Sequence, residues 1–167
     1  MGCDKSLLRL GRRSMLLIIK GVSRKTGKRV RVIRRDCVMR CGPLGGILTA
    51  LKSSSADRIL FLACDMPFVS VELLKHLLGG PWKGGALFVR SRSGVGFPFL
   101  LPVAAAAAVA RQIERGALSL QDLARVCQAT RLPVPRKWGS QLDNVNTPRR
   151  YWRARKIWKN RTLARRS

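Results

Sequence analysis

Asp65 is the acidic residue whose position most directly suggests chemistry. It follows the aliphatic-rich run Arg58 to Cys64, and Pro67 comes two residues later. Such a run is typical of a buried strand in a parallel sheet, and ligands of open α/β sheets bind beyond the carboxyl ends of the strands. A carboxylate there can hold Mg²⁺ over a triphosphate, because this ion takes one or two carboxylates together with phosphate oxygens. The alternative is that Asp65 only caps the turn after the strand.

Three further segments contain short motifs of glycine, lysine or asparagine. They are Met1-Gly2-x-Asp4-Lys5, Gly42-Pro43-Leu44-Gly45-Gly46 and Asn144-Val145-Asn146-Thr147-Pro148. The glycines of the second segment allow the backbone to approach a ligand closely.

With Cys64-Asp65-Met66-Pro67 as the third member, these segments stand in an order that resembles the molybdenum cofactor guanylyltransferase family and its wider nucleotidyltransferase group. The likeness extends from residue 1 to about residue 150. It implies a Rossmann-like nucleotidyltransferase fold and transfer of GMP from GTP to molybdopterin, with pyrophosphate leaving and Mg²⁺ assisting.

The resemblance also assigns roles to single residues. It implies that Asp65, Lys5 and Asn146 are catalytic and that Asp65 is the metal ligand. The residues implied to bind the nucleotide are Lys5, Asp36, Gly42, Gly45 and Asp65. A lysine is a compact positive charge for a triphosphate, and an aspartate can accept hydrogen bonds from ribose or guanine donors. Catalysis then rests on positioning and electrostatics, with no histidine or cysteine base.

The start of the sequence leads to a separate expectation. In the resembling family a first strand and the half-loop Leu-Ala-Gly-Gly-x-Ser-x-Arg precede Met-Gly-x-Asp-Lys, whereas this sequence begins at that methionine. We therefore expect the first strand and the first half of the phosphate loop to be missing.

The charge of the chain is unusual. Its 167 residues hold 34 Lys and Arg against 8 Asp and Glu, a formal net charge of +26. Such a charge favours association with a polyanion but says nothing about the fold. The length and the 46% hydrophobic content suit one core.

Cysteine usage and hydropathy restrict the class of protein further. The five cysteines contain no C-x-x-C pair and there is one histidine, His76, so a zinc site is not expected. The longest nearly apolar run, Pro98 to Ala110, is shorter than a spanning helix needs. Met15 to Ile19 is too short for the apolar core of a signal peptide. We therefore expect a cytoplasmic protein with no membrane span.

Alternating strand and helix patterns predict a three-layer α/β fold with a mostly parallel sheet. Predicted strands cover residues 58–64, 86–90 and, as an outer strand, 28–35. Predicted helices cover residues 14–22, 47–52 after a glycine loop at 42–46, 70–78, 102–116 and 119–129. His76 is expected on an exposed helix face.

The last residues differ in composition. We expect a nucleotidyltransferase-like domain over residues 1–148 and a basic tail over residues 149–167. The apolar residues of the tail have helical spacing, so it is expected to dock as an amphipathic helix. These residues are Tyr151, Ala154, Ile157 and Trp158. The arginines and lysines of the tail are expected to bind polyanions nonspecifically.

Three alternatives remain open at this point. A cytidylyl or sugar-phosphate transferase would share most of the motifs. A degenerate basic protein that binds nucleic acid would explain the charge and the aromatic residues of the tail. A lipid-anchored module would explain Gly2, Ser6 and Cys3, which match a myristoylation pattern with a nearby palmitoylation site.

Overall fold

The computed structural model describes residues 7–38, 40–80, 85–91 and 94–163. Helices and strands alternate along most of this part of the chain. In order they are β1 Arg9–Leu10, β2 Arg13–Ser14, α1 Met15–Arg24, α2 Pro43–Lys52, β3 Arg58–Phe61, α3 Val71–Leu78, β4 Leu87–Ser91, β5 Gly94–Pro102, α4 Ala106–Glu114, α5 Leu120–Val126, β6 Thr130–Pro133 and α6 Pro148–Leu163. Two 3₁₀ helices, Val103–Ala105 and Arg136–Leu142, also lie within the described ranges.

Among the described residues, the main sheet has four strands in the order β3-β5-β4-β6. β5 pairs antiparallel with both β3 and β4, whereas β4 and β6 are parallel. β3, β4 and β6 therefore run in one direction and only β5 opposes them. Three of the four strands agree with the predicted mostly parallel sheet.

Helices cover both faces of the sheet. Because successive residues of a strand point to opposite faces, Phe88 packs in a cluster with residues of α2, α4 and α5. Its neighbours Leu87 and Val89 pack in another cluster with Leu77 of α3. The expected three-layer α/β arrangement is confirmed.

The predicted strand at residues 58–64 needs correction. β3 ends at Phe61, which pairs with Phe99, and its described neighbour β5 is antiparallel rather than parallel. The ladder therefore stops three residues before the apolar run does.

Two other expectations about local structure are wrong. Residues 28–35 form no strand with any described residue; instead Arg31 Nη1 donates to the carbonyl of Ser53 at 2.6 Å. An alternating pattern indicates a half-buried segment, but a strand also needs a backbone partner. In addition, α2 begins at Pro43, so Gly45 and Gly46 lie in its first turn and not in a loop.

The predicted starts of α1, α3 and α5 are confirmed, and each follows a capping serine. The side chains of Ser14, Ser70 and Ser119 each accept a hydrogen bond from the backbone N–H of the third residue of α1, α3 and α5. A hydroxyl in this position satisfies a donor that the helix itself leaves unpaired. α5 ends at Val126, three residues earlier than predicted, and Gln128 follows with a φ of 47°.

The predicted apolar stripe of the tail lies on α6. Ala154 is buried, and Tyr151, Ile157 and Trp158 pack around it. They contact a cluster formed by Leu10, Met15, Ile18, Phe68 and Val145. The docking of this stripe as an amphipathic helix is confirmed, while the domain boundary at residue 148 stays a prediction.

Across the described ranges, no helix combines the length and apolar character required to cross a membrane. His76 is exposed on α3, as expected, and its ring contacts Trp138 edge-on at 5.1 Å between centroids.

Candidate active site

Asp65 lies just beyond the carboxyl end of β3. Its backbone carbonyl accepts a hydrogen bond from the N–H of Val145 at 2.7 Å. Met66, Pro67 and Val145 are buried, so the turn that carries the carboxylate packs on the interior of the protein. The Oδ1 atom of Asp65 is shielded from solvent although the residue is only half-buried. The turn therefore presents a carboxylate on a fixed backbone.

The segment from Asn144 to Pro148 is held against this turn. Thr147 caps the start of α6, because its carbonyl accepts from the N–H of Tyr151 at 2.9 Å and its hydroxyl accepts from the N–H of Arg150 at 3.2 Å. Asn146, one residue earlier, is exposed. The structure thus brings the predicted residues Asp65 and Asn146 into neighbouring segments.

A second group of predicted residues meets at the start of α2. Gly42 precedes this helix with a φ of 53°, and no side chain caps it. A Cβ built on Gly45 would lie 2.7 Å from the carbonyl oxygen of Val38 and 2.9 Å from Oδ2 of Asp36. Only glycine leaves room for this approach. Asp36 and Gly45 are therefore brought together, with the carboxylate at the positive end of the helix dipole.

The connection between α2 and β3 relates the two groups. The helix packs against β3, and only residues 53–57 join them. Such a short connection makes the helix run back antiparallel to the strand, which places the start of α2 and the end of β3 on the same edge. Asp36, Gly42 and Gly45 therefore lie on the edge of the fold that carries Asp65.

Lys5 and the rest of the Met1 to Lys5 motif lie outside the described residues. The roles predicted for them remain predictions.

Arginines of α6 contribute to this edge and were not among the predicted site residues. A cavity of about 140 Å³ is lined by Arg150, Arg153 and Arg161 together with Asn144 and Val145. Arg150 Nη1 also donates to the carbonyl of Asn144 at 3.3 Å. The basic composition of the tail indicated cations, but not that α6 would place them beside the Asn144 segment.

A larger open cavity of about 810 Å³ lies beyond the carboxyl ends of β4 and β6. Its polar lining includes Arg90, Ser91, Arg136 and Ser140. The two cavities share Ser140 and Asp143. An anionic molecule of moderate size has both room and cationic partners there.

Two carboxylates in the first turns of helices have a lowered pKa. Hydrogen bonds from its own backbone and from Ser70 lower the pKa of Glu72, with weaker contributions from nearby lysines. The hydroxyl of Ser119 lowers the pKa of Asp122, and Arg125 adds to the effect. Both shifts follow from helix capping rather than from catalysis.

Within the ranges that the structure describes, Arg125 and Asp122 form the one ion pair, at 2.8 Å. No group of three or more His, Cys, Asp or Glu residues is close enough to hold a metal ion there.

Comparison with known sequences identifies relatives of this chain that carry a functional name. A probable molybdenum cofactor guanylyltransferase of Flavobacterium johnsoniae is 30% identical over 119 residues, covering 67% of this chain and 60% of that protein. Another, of Methanothermobacter thermautotrophicus, is 37% identical over 98 residues, covering 46% of this chain and 49% of that protein. The chain thus spans about half of the length of the curated relatives it matches.

Solved structures agree on the fold. Molybdopterin-guanine dinucleotide biosynthesis protein A of Archaeoglobus fulgidus superposes with a TM-score of 0.71 at 20% identity, covering 95% of this chain and 92% of that one. A 2-C-methyl-D-erythritol 4-phosphate cytidylyltransferase of Thermus thermophilus gives 0.69 at 16% identity, covering 93% and 94%. At these identities the likeness concerns the fold alone.

The family model decides the classification. It matches residues 17–132, a range that contains Asp36, Gly42, Gly45 and Asp65 but neither Lys5 nor Asn146. Since this range is more than half of the sequence, the chain belongs to the family of the MobA-like NTP transferase domain.

Proposed function

We propose that this chain transfers GMP from GTP to a molybdopterin-type acceptor, with release of pyrophosphate, in the cytoplasm. The observation that carries the proposal is the 2.7 Å hydrogen bond from Val145 N–H to the carbonyl of Asp65. It fixes the Asp65 turn beside the Asn144 to Pro148 segment. The names of the curated relatives support the same reaction.

Asp65 fits the needs of Mg²⁺. Its carboxylate is a hard oxygen ligand on an anchored turn, and one of its oxygens is shielded from solvent. The ion commonly binds through one or two carboxylates and substrate phosphates. When bound, Mg²⁺ would neutralise negative charge on the phosphates of the nucleotide.

The start of α2 would bind the nucleotide. The positive end of the helix dipole and the uncapped Gly42 favour a phosphate group there. Asp36 has an exposed carboxylate that can accept hydrogen bonds from ribose or guanine donors. Lys5 would add a positive charge for the triphosphate, and the amide of Asn146 would donate to a phosphate oxygen.

The reaction needs no general base from the protein. An acceptor phosphate oxygen is already anionic and attacks the α-phosphorus of GTP. The bond from the α-phosphorus to the bridging oxygen of the β-phosphate breaks, and the electron pair leaves with pyrophosphate. The protein contributes alignment of the two phosphates and positive charge around them. Arg90 and Arg136 would hold the anionic acceptor in the larger cavity.

The decisive experiment compares Asp65→Asn with Asp57→Asn. Both changes remove one carboxylate charge, but Asp57 lies before β3 at the opposite end of the strand and is exposed. Calorimetry measures GTP affinity with and without MgCl₂, and pyrophosphate release is measured with a molybdopterin acceptor. We expect Asp65→Asn to lose the Mg²⁺-dependent part of GTP binding and Asp57→Asn to keep it. Unchanged Mg²⁺-dependent affinity in Asp65→Asn would refute the assignment.

A nucleotide panel tests the specificity separately. We expect binding of GTP in preference to CTP, ATP and UTP. Tighter binding of CTP would replace the proposed reaction by a cytidylyl transfer, the activity named for one relative of the same fold.

A further inference from the structure

Helix α6 has an uncompensated positive charge. Seven of its sixteen residues are Arg or Lys, and its sequence contains no acid. None of them forms an ion pair with another residue in the described part of the chain. Since the helix packs on the body of the protein through Ala154 and its apolar neighbours, most of these cations face solvent.

The outward face has an ordered pattern that we call the basic stripe: Trp152, Arg155, Lys156 and Lys159. The spacing i, i+3, i+4 and i+7 places them on one side of a helix. All four are exposed, whereas Ala154, on the opposite side, is 2% exposed.

Trp152 is the unexpected member of the basic stripe. Its side chain is 63% exposed, although a large aromatic residue usually buries most of its surface. The guanidinium carbon of Arg155 lies 4.9 Å from the centre of its ring. This cation–π contact restricts the indole while leaving most of it accessible.

Two kinds of anionic surface could meet such a face. An amphipathic helix on a membrane inserts a broad apolar side, but the apolar side of α6 is already packed on the protein. The outward side offers one aromatic ring among cations. That combination suits a flexible phosphate backbone with bases free to stack, as in proteins that bind single strands.

We propose that the basic stripe binds single-stranded nucleic acid. Arg155, Lys156 and Lys159 contact successive phosphates, and one base stacks on the exposed face of Trp152. This binding is independent of the nucleotidyltransferase reaction and of Asp65.

The test measures fluorescence anisotropy of a labelled thymidine oligonucleotide of about 16 nucleotides, an upper site size for a single-strand-binding module. The full chain is titrated at KCl concentrations from about 50 to about 200 mM, where electrostatic binding weakens steeply. A plot of log affinity against log salt then counts the phosphate contacts.

Two variants test the two components separately. The triple change R155Q/K156Q/K159Q removes three contacts and should reduce the salt slope by about 2, at about 0.7 for each neutralised phosphate of a single strand. The change Trp152→Ala should weaken binding roughly 5- to 150-fold with little change in slope, whereas Trp152→Phe should retain most of the affinity.

A matched control removes the same charge elsewhere. The triple change R24Q/K28Q/R29Q alters three exposed cations at and after the end of α1. It should reduce affinity less than the change in the basic stripe. Equal losses in the two triple variants, or no effect of Trp152→Ala, would overturn the proposal and leave only a diffuse charge effect.

Vesicles test the competing partner. Vesicles of equal parts phosphatidylcholine and phosphatidylserine are used in a co-sedimentation assay with the same variants. Retention on these vesicles through Trp152, without binding of the oligonucleotide, would replace nucleic acid by a lipid surface and refute the proposal. Asp65→Asn should leave oligonucleotide binding unchanged, so failure of the proposed enzyme activity does not affect this result.

Discussion

Replacing Gly45 by alanine tests the contact between α2 and the segment that carries Asp36. In an ordinary helix the change from glycine to alanine is stabilising, because alanine loses less backbone entropy on folding. At Gly45 the added methyl group would lie 2.7 Å from the carbonyl oxygen of Val38. A backbone atom at this distance cannot rotate away as the end of a side chain can. The segment or the helix must shift.

The magnitude follows from two opposing contributions. Overpacking costs typically 1–3 kcal/mol, which opposes a helix-propensity gain of at most about 1 kcal/mol. Gly21 in α1 provides the reference, since a Cβ there would meet nothing within 4 Å. Gly21→Ala should therefore gain about 0.5–1 kcal/mol. The two variants should differ by about 1–3 kcal/mol, with Gly45→Ala the less stable.

Thermal unfolding followed by circular dichroism measures the difference. For a chain of this size 1 kcal/mol corresponds to roughly 2–4 °C in Tm. Gly46→Ala is a second comparison, because its Cβ would lie 3.3 Å from a carboxylate oxygen of Asp36 that is free to swing outward. It should fall between the other two. In the Asp36→Ala background the cost of Gly45→Ala should largely persist, since the carbonyl of Val38 remains.

A Tm for Gly45→Ala as high as that for Gly21→Ala would refute the reasoning. It would mean that residues 36–38 do not pack on the first turn of α2. The placement of Asp36 beside the proposed nucleotide site would then lose its support.

Three further outcomes are expected. The pKa of Asp122 is lowered below its ordinary 3.8, chiefly by Ser119, so the carboxylate stabilises the fold above that pH and loses this effect as the pH falls through the folded pKa. The Tm difference between the parent and Asp122→Asn should therefore shrink on acidification. A constant Tm difference would contradict this. Burial raises the pKa of the Cys127 thiol, whereas Cys37 is exposed. Peptide mapping after brief alkylation should therefore find Cys37 modified well before Cys127. Equal labelling of the two cysteines would count against the packing around α5. Phe99→Ala should lower the free energy of unfolding by about 3–5 kcal/mol in urea titrations, because the fully buried ring of Phe99 stacks on two other phenylalanines. A loss below about 1 kcal/mol would contradict this packing.

Local signals in the sequence predicted most of the helices. Ser70 illustrates why: the hydroxyl that caps α3 and the residue it bonds, Leu73, are three positions apart, so the whole interaction is visible in a short stretch. The apolar stripe of α6 was readable for the same reason. Signals of this kind need no knowledge of the rest of the chain.

Strand pairing could not be predicted in the same way. The alternating pattern at residues 28–35 indicates which side is buried, but not whether a partner strand is present. The last pair of β3 joins Phe61 to Phe99 of β5, 38 positions away in the sequence. Ladder formation is decided by such distant pairs, which a pattern within one segment does not contain.

The site was predicted in part. The order of the motifs connected Asp65 with the Asn144 segment, and the structure joins them by one backbone hydrogen bond. The arginines that line the neighbouring cavity were missed, because their position depends on the direction in which α6 leaves Thr147. Composition indicates the number of cations but not where a docked helix places them.

The hydrogen bond from the hydroxyl of Tyr151 to the carbonyl of Arg9 has a consequence for synthesis on the ribosome. It spans 142 positions at a distance of 2.8 Å, and the same contact region shields Leu10 and Met15. At about 5–20 residues per second, roughly 7–28 s pass between the synthesis of Arg9 and the synthesis of Tyr151. During that interval the nascent chain lacks the apolar residues that α6 adds to this cluster. Cells producing this protein should therefore depend on chaperones that bind early apolar segments, and slowing translation should increase aggregation.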